Sequence, residues 1–216
     1  MTGVVRTKRR GVGRPRAREA AARQEDLLNR ATEVFLEYGY ANASVAEIAR
    51  RAGASKRTIY SRYRTKDDLF IAVIARKTQE LQSVFAKILA PDQPLASVLE
   101  DFGAHLLCAI SHPKRRSLYR TFVAESGKFP KLSRAFWKIG PQRSVAMLRD
   151  YLAKHPEFCG RDPEHAAEMF WSLCCGLTFM RSQLRQGTVM PDKVVCNRVK
   201  EAVRVFLAAY SLHPSP

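Results

Sequence analysis

Cationic side chains are concentrated in one stretch of the N-terminal third of the chain. Between Glu47 and Asp67 there is no acidic residue, and seven basic residues fall there: Arg50, Arg51, Lys56, Arg57, Arg62, Arg64 and Lys66. Such groups bind phosphate oxygens, and a guanidinium can also bind the edge of a guanine through two hydrogen bonds. The stretch therefore has the chemistry to recognise a nucleic acid. The alternative is a solvated basic face on an ordinary pair of helices.

Two short helices joined by a tight turn are predicted to hold these side chains. Ser44, followed three residues later by Glu47, forms a capping box that predicts the start of the first helix. Gly53 predicts its end, because glycine readily adopts the left-handed conformation that a helix stop requires. Ser55 then predicts the N-cap of the second helix. This arrangement favours a helix-turn-helix motif over residues 44–63.

The second helix of this motif is predicted to have one buried side and one polar side. Ile59 and Tyr63 lie one helical turn apart and mark the buried side. At about 100° per residue, Arg57 and Ser61 then point outward. A short capped helix with an outward face of cations and hydrogen-bonding groups is typical of a recognition helix that enters the major groove of DNA.

Residues 31–74, ATEVFLEYGYANASVAEIARRAGASKRTIYSRYRTKDDLFIAVI, resemble the TetR/AcrR family of transcriptional regulators. The positions that carry the resemblance are Phe35, Gly39, Ser44, Ile48, Ala49, Gly53, Thr58, Ile59, Tyr60 and Lys66. The chain departs from the family at Arg57, where the family often has glycine. Residues 118–152 are similar to the ligand-binding domain of AefR-like members of the same family.

The resemblance implies an all-α fold with an N-terminal three-helix helix-turn-helix domain and a C-terminal helical domain for ligand binding and dimerisation, about nine helices in all. The expected divisions are a basic disordered arm over 1–20, a DNA-binding domain over 21–81 and the C-terminal domain over 82–216. The implied partners are double-stranded operator DNA, a second copy of the chain and a small apolar or amphipathic effector. The expected location is the cytoplasm, in association with the nucleoid.

The resemblance and the outward face together predict the DNA contacts. Side chains expected to read bases are Lys56, Arg57, Tyr60 and Ser61, and those expected to hold phosphates are Ser44, Thr58, Tyr63 and Lys66. In the arm, the segment 13–16, GRPR, resembles an AT-hook, in which Arg14 and Arg16 would lie along the minor groove. The alternative is a generic basic tail that adds only salt-dependent affinity.

Charge and length agree with an anionic partner. The 216 residues carry a formal net charge of +17, and 46% of them are hydrophobic. Residues 1–66 hold 16 Lys/Arg against 6 Asp/Glu, so the N-terminal third is the most densely charged part. One or two domains with a substantial core are therefore expected, and a mainly disordered chain is excluded.

The remaining pattern predicts helices separated by proline and glycine. Helix one is expected from about Gln24 to Gly39, and a long helix capped by Thr65 should link the two domains. Further helices are predicted over 95–110, 114–126, 130–155 with a bend at 140–141, 163–186 and 191–212. No run of about 18 apolar residues predicts a membrane span.

Candidate pocket residues can be chosen only by type in the C-terminal domain. They are Phe102, Leu106, Phe122, Phe136, Trp137, Met147, Tyr151, Trp171, Phe179 and Met180. Ordinary core packing is the alternative at each position. Which residues of the last two helices meet a partner is left open by the sequence.

No catalytic, metal-binding or cofactor-binding residues are predicted. The sequence has no glycine-rich phosphate loop after a strand, no HExxH and no CxxC, and its five histidines are scattered. A redox thiol at Cys174-Cys175 is the alternative to small buried apolar residues. Two other functions remain open: an architectural DNA-binding protein without an effector, and a protein-interaction module with a vestigial motif.

Overall fold

The chain folds into helices connected by short turns. The computed structural model describes residues 13–90, 93–184 and 190–211. Over these ranges it has ten α-helices, a 3₁₀ turn at Pro156–Phe158 and no strand, which confirms the predicted all-α fold. The helices are α1 (Gly13–Asn42), α2 (Val45–Arg51), α3 (Lys56–Tyr60), α4 (Lys66–Ile88), α5 (Leu95–Ser111), α6 (Pro113–Ser126), α7 (Pro130–Ile139), α8 (Pro141–Leu152), α9 (Pro163–Leu184) and α10 (Asp192–Ser211). In the described part of the chain, no helix has the length and apolar character needed to cross a bilayer.

Helix α1 begins earlier than the sequence predicted. Its first residue is Gly13 and not a position near Gln24, so residues 13–20 of the expected disordered arm are helical. Four alanines between positions 17 and 22 explain the difference, because alanine has the highest helix propensity. Pro15 is tolerated because it falls in the first turn. At the other end, Gly39 takes φ 74° and ψ 169° and interrupts the helix where a stop was predicted.

The bent helix predicted over 130–155 is in fact two helices. Helix α7 ends at Ile139 and α8 begins at Pro141. Between them Gly140 has φ −96° and ψ −94°, outside the helical region. The missing N–H of Pro141 and the non-helical angles of Gly140 together separate α7 from α8, where only a bend was predicted.

Two hydrophobic cores hold the helices together. The first lies between α1, α2, α3 and α4, where the ring centroid of Phe70 is 4.8 Å from that of Phe35 and 5.0 Å from that of Tyr40. The second joins the end of α4 to α5, α8, α9 and α10. Its largest fully buried side chains include Phe85, Phe102, Phe170 and Phe206.

Helices α4, α6 and α7 connect the two halves of the chain. Leu118 and Phe122 of α6 and Leu132 of α7 are buried in the first core, although they lie far from it in sequence. Helix α4 contributes Phe70 to the first core and Phe85 to the second. The predicted boundary between residues 81 and 82 falls inside α4. The two cores share this helix, and the chain does not divide between them at one point.

Candidate nucleic-acid interface and internal cavity

The two helices of the predicted motif are capped by serines. Ser44 Oγ accepts a hydrogen bond of 3.1 Å from the backbone N–H of Glu47, and Ser55 Oγ accepts one of 3.0 Å from that of Thr58. Gly53, in the turn between them, has φ +58°, a conformation that a side chain would disfavour. The short α3 is thus held at its start by a cap and a turn that were both evident in the sequence.

Helix α3 presents its polar side to solvent. Ile59 is 1% exposed and Tyr63 is 9% exposed, so the predicted buried side is correct. Arg57 and Ser61 are exposed, which confirms their predicted outward orientation. We call the following exposed group the α3 surface: Lys56, Arg57, Thr58, Tyr60, Ser61, Arg62 and Arg64.

Arg50 and Arg51 are engaged within the protein. Both donate hydrogen bonds to the Glu47 carboxylate, at 2.8 Å and 2.7 Å, and Arg51 also reaches Glu37 of α1 at 2.7 Å. The hydrogen bonds from Arg50 and Arg51 lower the pKa of Glu47 to about 2. They also use the carboxylate that the predicted capping box would have turned toward the N–H of Ser44.

Lys66 is also engaged, and its role is structural. Its Nζ donates to the carbonyl oxygens of Tyr40 (2.8 Å), Ala41 (2.9 Å) and Ala43 (3.2 Å). An ammonium group has three N–H donors, so none remains for a phosphate. The contact expected from Lys66 therefore does not fit this geometry. The side chain instead fastens the α1–α2 connection to the first turn of α4.

Tyr63 is largely buried, and its polar end is engaged by α1. Its ring lies in the first core, and its hydroxyl accepts a hydrogen bond of 3.4 Å from the exposed Gln24 of α1. Ser44 and Thr58 are exposed. The Ser44 hydroxyl accepts the capping bond from Glu47, and the Thr58 hydroxyl is hydrogen-bonded to that of Ser55 at 2.8 Å. Of the seven basic residues between Glu47 and Asp67, Lys56, Arg57, Arg62 and Arg64 have neither an acidic partner nor a side-chain hydrogen bond within the described part of the chain.

The predicted minor-groove segment lies at the start of α1. The backbone of residues 13–16 is helical, whereas an AT-hook requires an extended chain. The side chains of Arg14 and Arg16 lie outside the described part of the structure, as do residues 1–12. The helical backbone removes the geometric argument for an AT-hook and leaves the basic tail as the interpretation.

A cavity of about 160 Å³ lies between the first core and the helices that carry the second. Its apolar lining includes Ile74, Leu81, Ile110, Leu118, Phe136 and Phe179. Leu118 is also buried in the first core, and Phe136 packs against it. The cavity therefore shares a wall with the part of the protein that carries α3.

Two of the predicted pocket residues, Phe136 and Phe179, line this cavity. The others are elsewhere: Phe102, Leu106 and Tyr151 are buried in the second core, Met147 and Trp171 pack against that core, Phe122 is buried in the first core, and Trp137 and Met180 are 56% and 59% exposed. Choosing pocket residues by their type finds large apolar side chains, and most of these pack in the two cores. A cavity forms where side chains leave space, so type alone locates it poorly.

The polar residues that line the cavity were not among those predicted. Thr78 and Ser144 direct their hydroxyls to carbonyl oxygens of their own helices, at 2.9 Å and 3.2 Å. The Oε1 atom of Gln183 is buried and has no hydrogen-bond partner among the described residues. Arg115 also lines the cavity. Its place in the basic run 114–116 does not distinguish it from a charge at the surface.

The cysteines give no support to a redox or metal site. Cys174 and Cys175 are buried, and burial raises the pKa of both thiols to about 12. The thiolate is the reactive form, so these two side chains are unreactive. Cys108, Cys159 and Cys196 are exposed. Within the described ranges, no group of three or more His, Cys, Asp and Glu side chains could hold a metal ion.

Helices α9 and α10 expose an apolar face. Its exposed side chains include Leu177 (64%), Met180 (59%) and Val194 (50%). Gly176, with φ +37°, interrupts α9, and Arg198 of α10 donates a hydrogen bond of 2.8 Å to the carbonyl oxygen of Leu173 in the preceding turn. This bond fastens α10 to α9 at the kink. We call the exposed side chains of Leu177, Met180 and Val194 the α9–α10 face.

Two family descriptions match the chain. "Bacterial regulatory proteins, tetR family" matches residues 27–73, and "AefR-like transcriptional repressor, C-terminal domain" matches residues 97–212. The second match alone spans more than half of the chain. The first includes both helices of the motif, and the second begins within α5 and continues through α10.

The chain is also similar to YezE of Bacillus subtilis, an uncharacterized HTH-type transcriptional regulator. The two are 25% identical over 129 residues, which cover 58% of this chain and 66% of YezE. Alignments with the next two curated relatives, both mycobacterial HTH-type regulators, cover 28% and 44% of those proteins. These relatives are thus matched over only part of their length.

Solved structures extend the likeness to the whole fold. A putative TetR-family regulator from Mesorhizobium loti has a TM-score of 0.78 at 22% identity, with 88% of this chain and 97% of that chain covered. The flavonoid-responsive regulator FrrA has a TM-score of 0.71 at 27% identity, with the same coverage of the two chains. The capped motif, the helical fold and the two family matches agree, and the chain belongs to the TetR family of transcriptional regulators.

Proposed function

We propose that this protein is a sequence-specific DNA-binding regulator that acts as a homodimer and releases its operator when a small effector binds. The observation that carries the proposal is the α3 surface. It combines exposed cations that lack an acidic partner in the described structure with a helix anchored through Ile59. Such a surface suits the negatively charged major groove, where side chains can reach base edges.

Individual contacts follow from position on this surface. Lys56, Arg57, Tyr60 and Ser61 are assigned to bases, because they lie on or directly after α3 and are exposed. Ser44 and Thr58 are retained as phosphate contacts, and Arg62 and Arg64 replace Tyr63 and Lys66 in that role. Phosphate contacts fix the register of the protein on DNA, and base contacts provide the sequence preference.

A homodimer is proposed through the α9–α10 face. Large apolar side chains exposed together commonly mark an interface with another protein. A twofold pair would place two α3 helices about 34–36 Å apart, so that they enter successive major grooves of a pseudo-palindromic operator. Such a regulator works on the chromosome, so the nucleoid is the proposed location.

The effector is proposed to bind in the cavity. Its lining includes residues of α4, α6 and α7, the three elements that also pack in the first core with α3. A ligand that moved these helices would change the relative position of the two α3 helices. A coupling free energy of about 1–3 kcal/mol is enough for 5- to 150-fold weaker DNA binding. The name of FrrA, flavonoid-responsive regulator, supports an effector-controlled activity, and the AefR-like match supports repression.

Selection of bound sequences from a random DNA pool, followed by footprinting on genomic fragments, tests the proposal. We expect an inverted repeat with half-sites one helical turn apart, bound with an affinity that falls steeply as salt rises. Recovery of no preferred site would instead favour an architectural DNA-binding protein. Absence of tight, salt-dependent binding would leave the interaction-module alternative.

A further inference from the structure

One end of the cavity carries an excess of positive charge. Lys77 of α4 and Arg115 of α6 both line it. They share a single carboxylate, that of Glu80, whose Oε1 is 3.0 Å from Lys77 Nζ and whose Oε2 is 3.8 Å from Arg115 Nη2. The shorter contact is a hydrogen bond, and the longer one exceeds hydrogen-bonding distance. Glu80 therefore neutralises Lys77 more completely than it neutralises Arg115.

The guanidinium of Arg115 is partly removed from water. Its side chain is 28% exposed, and burial lowers its pKa, with Glu80 acting in the opposite direction. The group stays charged at physiological pH, since an arginine pKa lies far above that range. A partly desolvated cation that shares its carboxylate partner with Lys77, at 3.8 Å, is a favourable partner for a second carboxylate. The planar guanidinium can bind both oxygens of that carboxylate.

The remainder of the cavity suits an apolar body. Ile74, Leu81, Leu118 and Phe136 are among the side chains that surround it. Its volume of about 160 Å³ is comparable with cavities that admit one benzene ring. Gln183 supplies a buried carboxamide oxygen without a partner among the described residues, which a hydroxyl group on a ligand could satisfy.

We propose that the cavity binds small organic acids, with the carboxylate against Arg115 and an aromatic ring or short alkyl chain in the apolar part. This inference rests on the proposed function, because it names the class of effector for the same cavity. It excludes neutral compounds of the same shape as the preferred ligands.

The test compares acids with their uncharged counterparts. Binding of benzoate, phenylacetate and octanoate to the full-length protein is measured by calorimetry, beside the corresponding primary amides. We expect at least one acid to bind and its amide to bind about tenfold or more weakly. The variant Arg115→Gln should lose about tenfold or more in affinity for the acid. Arg120→Gln is the matched control, because Arg120 is exposed on the same helix and does not line the cavity.

The outcomes separate the effector class from the proposed function. Equal binding of acid and amide, an unchanged affinity in Arg115→Gln, or failure of all three acids to bind would overturn the proposal of an acidic ligand. Operator binding by the ligand-free protein is measured in parallel, with Arg115→Gln included to show that this variant is folded. Failure of the wild type to bind a specific DNA site would overturn the proposed function, whatever the acids do.

Discussion

At the scale of single residues, Arg57 is the side chain best placed to recognise a base. It lies in α3, is exposed and has no acidic partner in the described structure. We expect Arg57→Ala to reduce discrimination at one base pair of each half-site by about 1–3 kcal/mol, because a guanidinium can bind guanine through two hydrogen bonds. Competition binding against operators substituted at each position measures this loss.

The matched control for Arg57 is Arg62→Ala. Arg62 is exposed just after α3 and is assigned to a phosphate. Its removal should weaken binding to all sequences about equally and reduce the dependence on salt. If Arg57→Ala also weakened every sequence equally, Arg57 would be a phosphate contact and not a base contact.

Lys66→Met should destabilise the protein without removing a DNA contact. Three backbone carbonyls would lose a charged donor. A hydrogen bond to a charged group contributes about 1.5–3 kcal/mol to stability. We expect the free energy of unfolding in urea to fall by about 2 kcal/mol. Lys56→Met, at an exposed site, should change it by less than about 0.5 kcal/mol. Equal losses in the two variants would contradict the structural role of Lys66.

These residues show what the sequence could and could not predict. Serine caps, Gly53 and the pair Ile59 and Tyr63 depend on neighbours within a few positions, so the pattern alone predicted their roles. The pairing of Arg51 with Glu37 and of Lys66 with the Tyr40 carbonyl depends on how α1 packs against α2 and α4. Tertiary contacts of that kind leave no mark in local spacing, and they removed Arg51 and Lys66 from a set of seven cations. Arg50 was removed by a local pairing with Glu47, three residues before it.

At the scale of helices, α2 has a charge network that should respond to acid. The pKa of Glu47 in the folded protein is about 2, below its ordinary value of 4.5, chiefly because Arg50 and Arg51 donate to it. The unfolded chain therefore takes up a proton first, and the stabilisation is complete above about pH 4.5 and is lost as the pH falls toward 2. We expect Glu47→Gln to be less stable than wild type at pH 7, with a difference that shrinks below pH 4.5 in urea unfolding. A constant difference across this range would contradict the assigned pKa.

Helix α6 is expected to carry the signal from the cavity to α3. Phe122 does not line the cavity, but its ring stacks on that of Phe136, which does, at a centroid distance of 4.2 Å. We expect Phe122→Leu to bind the operator nearly as wild type does, while the loss of affinity caused by an effector shrinks by about 0.5–2 kcal/mol. The measurement is operator affinity with and without a compound that releases the wild-type protein.

Phe158→Leu provides the control for this change. Phe158 is buried in the second core, near Phe206, so the substitution removes a similar volume away from the proposed route. Its response to the effector should stay at the wild-type level. An unaltered response in Phe122→Leu would show that the stack of Phe122 on Phe136 does not transmit the change.

Helix boundaries illustrate a second limit of the sequence. A bend at Gly140-Pro141 was predicted from the missing proline N–H, whereas the complete break found there depends also on the non-helical backbone angles of Gly140. The cavity was harder to predict, because Arg115 and Gln183 reach it only through the arrangement of the six helices that line it. A side chain that borders an empty space cannot be distinguished by type from one that borders water.

At the scale of the whole molecule, DNA recognition should depend on dimerisation through the α9–α10 face. Leu177 is 64% exposed on α9 near Met180, and its burial against a second copy would be prevented by a charge. We expect Leu177→Glu to sediment as a monomer with a mass of 24.4 kDa. It should bind an operator with two half-sites about 100-fold more weakly than wild type, because each monomer then binds a half-site independently. Trp137→Glu is the control, since Trp137 is equally apolar and 56% exposed but lies on α7. If Leu177→Glu remained a dimer with full operator affinity, the two copies would have to meet through another surface.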